Sequence, residues 1–144
     1  MTDLLSAFEE FEFSAKRFKH TIPLSHKDYF ILFKRGIRRY FVDVGKADEY
    51  DPSLITEDML EEVPYELKQD DISYIMAAAQ MEFYIQMAAD IAQPNRITQH
   101  KTDALTVTFS DKTTAEINAE IASLQRRLDE IYFKMPQYTL GVGR

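Results

Sequence analysis

A mainly helical bundle of four to five helices, with a short extended β-arm and a flexible C-terminal tail, is the fold class the sequence predicts. Three observations carry that expectation. Apolar residues recur at alternating spacings of three and four in several segments. A long, almost continuous apolar stretch runs from Ile72 to Met87. Pro23, Pro64, Pro94 and Pro136 punctuate these segments where helices must stop. The 144 residues suffice for one domain, placed at 1–136 and followed by a tail at 137–144.

In the first segment Leu4, Phe8, Phe11, Ala15 and Phe18 share one helical face. Glu9, Glu10 and Glu12 come early and Lys16, Arg17, Lys19 and His20 late, as a helix dipole favours. Phe11, Phe13 and Ala15 could instead alternate as a strand. After Pro23, Ser25 with Asp28 three residues on marks a helix start. Phe30, Phe33, Ile37, Phe41 and Val44 then form an apolar stripe that ends at Gly45. Asp48 to Asp71 contains Pro52 and Pro64 and reads as a surface connection with one short helix, started by Thr56 and stopped before Pro64.

Asp70 and Asp71 cap the next helix, whose apolar residues go nearly all the way round. A surface helix shows a single stripe, so this one is central or is covered partly by another subunit. Ala104 to Phe109 alternates, with Leu105, Val107 and Phe109 on one side and Thr106 and Thr108 on the other. That pattern predicts a short strand or arm at about 103–109. Thr113 and Glu116 then form a capping box for a last helix, with Ile117, Ile121, Leu124, Leu128, Ile131 and Met135 as its seam. That seam reads first as bundle core; if the helix lines a ring, Arg126, Arg127, Asp129 and Glu130 beside it could pair between subunits. Gln137 to Arg144, with Gly141 and Gly143, should be flexible until it meets a partner.

Composition narrows the function classes. Hydrophobic residues are 45% and charged residues 28%, a globular balance. The net charge of -7 argues against a sequence-blind nucleic-acid binder, which needs a basic surface to displace counterions. Cysteine is absent, which excludes disulfides, thiol nucleophiles and cysteine-type zinc sites. No apolar run approaches the ~18 residues of a spanning helix, and the N-terminus lacks a signal-peptide pattern, so a soluble intracellular domain is expected. The charge is uneven: +3 over 1–46, -9 over 47–71 and -1 over 72–144.

No catalytic constellation stands out. His20, His26 and His100 lack metal-ligand spacing and read as solvated or capping residues. Asp43, Asp48, Glu49 and Asp51 fail the alternation of a calcium loop. Glu61, Glu62, Glu66, Asp70 and Asp71 have no neighbouring base. The expectation is no enzyme, no metal and no cofactor. Lys34, Arg35, Arg38 and Arg39 are the one functional-looking patch, with like charges stacked at i, i+4. The acidic segment could answer them internally, an acidic partner could dock there, or DNA could.

The segments "DYFILFKRGIRRYFVD", "DDISYIMAAAQMEFYIQMAADI" and "TDALTVTFSDKTTAEINAEIASLQRRLDEIYFKM" together resemble the head–tail connector (adaptor) proteins of tailed bacteriophages, over roughly residues 25–135. The resemblance implies a ring, commonly of twelve copies, beneath the portal protein at the capsid vertex. Such a ring extends the DNA channel, touches DNA only as passing cargo, and presents a surface to a stopper or tail protein. It implies no membrane and no catalysis, with residence at the head–tail interface of the virion and in the host cytoplasm during assembly. By location, Tyr138, Leu140, Val142 and Arg144 of the tail would reach the portal, and the extended arm of Ala104 to Phe109, through Leu105, Val107 and Phe109, would contact the neighbouring subunit. Lys34, Arg35, Arg38 and Arg39 would dock an acidic neighbour. The alternative is a small cytosolic regulator that binds a protein or DNA through 34–39.

Overall fold

A computed structural model describes residues 2–18, 24–91 and 104–135. Four α-helices carry the described fold: α1 (Leu5–Lys16), α2 (His26–Asp43), α3 (Gln69–Ile91) and α4 (Ala104–Phe133). Three 3-10 turns, Ala47–Glu49, Pro52–Leu54 and Glu57–Glu62, lie in the acidic connection between α2 and α3.

The expected face of α1 is the buried one, since Leu4, Phe8, Phe11 and Ala15 are all in the core. Helix α2 starts where expected, and on a full capping box: the Asp28 N–H donates to Ser25 Oγ (3.2 Å) and the Ser25 N–H donates to the Asp28 carboxylate (3.0 Å). It ends ahead of Gly45, whose φ of +79° is the left-handed conformation that glycine adopts without a Cβ clash. At the start of α3, Asp71 accepts from the Lys68 N–H at 2.8 Å, the cap expected there.

Helix α3 is central. It packs against α1, α2 and α4, and Tyr74, Ile75, Ala77, Ala78, Ala79, Met81, Phe83 and Met87 are buried on several sides of it. Its closest approach to α2 is at Gly36, where a Cβ would lie 2.7 Å from the Ala79 backbone nitrogen. Small residues on both helices set that distance. Ile117, Leu124, Leu128 and Ile131 lie buried on the α4 seam and Met135 is buried just beyond its end, whereas Ile121 is half-buried.

Two expectations are corrected. The extended arm is not formed: the backbone of 104–109, which includes Leu105, Val107 and Phe109, is the first part of α4. Six alternating residues specify a strand only if another strand pairs with them, and no β-strand occurs among the described residues. No glycine or proline lies between Pro94 and Pro136 to interrupt the helix. It therefore runs through Thr113, which is a buried interior residue rather than an N-cap. The 30 residues of α4 span about 45 Å at ~1.5 Å per residue.

The acidic connection is better anchored than a bare surface loop. Ile55, Leu60 and Val63 are buried. The N-terminal strand-like residues pair with it: Thr2 and Val63 exchange backbone hydrogen bonds at 3.1 and 2.9 Å, and the Leu4 N–H donates to the Leu60 carbonyl at 2.7 Å. Tyr50 stacks on Phe41 with ring centroids 5.4 Å apart.

Candidate docking surface

The arrangement of the basic cluster follows from helical periodicity. Positions 31, 35, 38 and 42 of α2 fall on one face, opposite the buried Tyr29, Phe33, Gly36 and Tyr40. Ile31 and Val42 on that face are 43% and 50% exposed, and Arg35 and Arg38 between them are exposed too. The result is a ridge with apolar ends and two guanidinium groups in its middle.

Arg39 belongs to a different face. It turns toward α3, where its Nη1 lies 3.0 Å from the Glu82 carboxylate, and its Nε lies 3.8 Å from Asp43 one turn on. Asp43 also accepts a hydrogen bond from the Tyr74 hydroxyl. Burial, and then this bond to a carboxylate, push the Tyr74 phenol well above its ordinary value. Arg39, Asp43, Glu82 and Tyr74 thus form a polar tie between α2 and α3. Arg35 donates to the Gln86 side-chain oxygen at 3.4 Å. Lys34 sits over the Phe30 ring, 5.7 Å from its centroid. Arg38 makes no hydrogen bond or ion pair among the described residues. The four basic residues therefore divide: Arg39 is structural, Lys34 and Arg35 are lightly held, and Arg38 projects outward. The internal answer to the cluster comes from α3 and not from the acidic connection.

A second charged cluster lies at the other end of α2. His26 Nδ1 is 3.0 Å from both carboxylate oxygens of Glu12 in α1, and its Nε2 is 2.8 Å from Glu57 in the connection. Lys16 also reaches Glu12 at 3.0 Å. The bonds to Glu12 and Glu57 hold the His26 imidazole above its ordinary value. Burial alone would raise the Glu12 carboxyl, but the bonds from His26 and Lys16 outweigh it and hold it lower. His26 is thus a clasp joining three elements, where the sequence suggested a solvated or capping residue. Its two partners, Glu12 and Glu57, lie 14 and 31 residues away, so no local spacing could have disclosed it. Among the described residues no group of histidine and acidic side chains is arranged to hold a metal ion, and no helix is long and apolar enough to cross a membrane.

Of the other residues expected to bind partners, Tyr138, Leu140, Val142 and Arg144 lie outside the described residues. Leu105, Val107 and Phe109 lie in the first turns of α4 and not on a separate arm. Family models, curated proteins and solved structures give no match to this chain.

Proposed function

We propose that this chain is a structural, non-catalytic adaptor that assembles as a ring beneath the portal of a tailed bacteriophage, joins head to tail and extends the DNA channel. The observation that carries this proposal is the way the three resembling segments are used. "DYFILFKRGIRRYFVD" lies within α2, "DDISYIMAAAQMEFYIQMAADI" makes up nearly all of α3, and the last segment supplies α4. The first and last of these pack against α3 as one bundle. The exposed ridge of α2 supplies a surface for an acidic neighbour, since Arg35 and Arg38 stand on it between two apolar residues. The negative net charge suits a lumen through which DNA slides without sticking. The proposed partners are the portal, a stopper or tail protein, and further copies of the chain, commonly to a total of twelve. The tail residues Tyr138, Leu140, Val142 and Arg144 are the proposed portal contact. Sites of action are the virion's head–tail interface and, before assembly, the host cytoplasm.

A regulator that grips DNA through 34–39 is less well supported. Arg39 is taken up by Glu82 and Asp43, which leaves fewer cations for phosphates, and the chain carries a net charge of -7. Electron microscopy of the purified chain with and without a portal tests the adaptor role. Rings on the portal are expected. A chain that stays a separate monomer beside the portal under all conditions contradicts it.

A further inference from the structure

Two oppositely charged surfaces carry side chains that meet no ion-pair partner among the described residues. One is the α2 ridge, where Arg38 has no hydrogen bond or ion pair among the described residues and Arg35 meets only the neutral Gln86 amide. The other is the acidic connection. The side chains of Asp48, Glu49, Asp58, Glu61 and Glu62 are exposed there, and none enters an ion pair or hydrogen bond among the described residues. The connection travels back along α2, from Tyr50 stacked on Phe41 near the helix end to Glu57 bonded to His26 at its start. Each surface gathers like charges, whose mutual repulsion an opposite surface would relieve.

We propose that a second copy of this chain covers the ridge. Asp58, Glu61 and Glu62 of one copy meet Arg35 and Arg38 of the next, and Ile31 and Val42 close the two ends of the contact. The occupant is chosen by charge complementarity: the chain carries the -9 segment that its own ridge lacks. Because two different patches meet, the contact is heterologous, and its repetition closes a ring when the rotation allows. The contact deepens the adaptor assignment and rests on it for the closed ring. Pairs on such a surface are screened by salt, so the association weakens as ionic strength rises.

Complementary charge reversal in the full-length chain tests it. Sedimentation equilibrium at high protein concentration and low salt should show self-association of the wild type. R35E/R38E and E61K/E62K should each weaken it by about tenfold or more, since like charges then face each other. An equimolar mixture of the two variants should associate again. Far-ultraviolet circular dichroism checks that each is folded, and R35Q/R38Q, which only neutralises the ridge, should associate weakly with little salt dependence. A wild type that is monomeric at every concentration and salt, variants that associate normally, or a mixture no tighter than its components would each overturn the contact. Variants that re-associate as a mixture but form no ring on a portal would sink the adaptor role and leave the contact standing. Wild-type and variant chains that ring a portal equally well would do the reverse.

Discussion

Gly36 shows how one missing Cβ sets a helix–helix distance. An added methyl would meet the Ala79 backbone at 2.7 and 2.9 Å, and backbone cannot swing aside as a side-chain tip can. Gly36→Ala gains up to ~1 kcal/mol of helix propensity but incurs ~1–3 kcal/mol of overpacking. Chemical denaturation should therefore show a net loss, and a gain in stability would mean that α2 and α3 separate at little cost. His26 carries a pH signature. Its folded-state pKa is raised, so its contribution is complete below the unfolded value near ~6.5 and fades as pH rises through the folded value. Glu12 is held low, so its share is present above the ordinary carboxylate range and fades as pH falls through its own folded value. The difference in melting temperature between wild type and His26→Gln should be widest at about pH 5–6 and narrow in alkali. A difference that does not change with pH would remove the clasp from the account. Arg39 is a third case. Reversing it would gather its new carboxylate with Glu82 and Asp43 between two helices, so it does not serve as a surface probe in the way Arg35 and Arg38 do.

At the scale of elements, periodicity and caps were the legible part. The 3.6-residue stripe of α1, the Ser25–Asp28 box of α2 and the seam of α4 all depend on residues within a turn or two of one another. The all-round apolar character of α3 correctly marked a central helix, because three neighbours take up its faces. The start of α4 was misplaced for a physical reason. Alternating Thr and Val residues suit a strand locally, yet strand pairing is a tertiary event that the local pattern cannot supply. The basic residues of α2 were legible as a cluster. Its division into a structural Arg39 and an outward Arg38 was not, because it depends on Glu82, 43 residues away in sequence. The α4 seam yields the clearest energetic test. Leu128 is 1% exposed, so Leu128→Ala should cost ~2–5 kcal/mol of stability, a large share of a domain's usual ~5–15 kcal/mol. A loss below about 1 kcal/mol in thermal or chemical melts would mean that α4 is held only loosely against the bundle.

For the whole molecule the central fact is the separation of charge. A basic ridge on α2 and a -9 connection after it share no ion pair among the described residues. A solitary chain gains nothing from that separation, whereas a repeating assembly can satisfy both surfaces at every junction. Isolated exposed pairs are worth only ~0.2–1 kcal/mol each, so the free chain should associate weakly and a template should be needed to gather a complete ring. The most direct measurement is electron microscopy of the chain mixed with a portal, with class averages of the complex viewed down the channel axis. A single added ring of density, with one copy of the chain for each portal subunit and an open central channel, is the predicted result. Portal particles identical to those without the chain, at every salt and concentration, would contradict it.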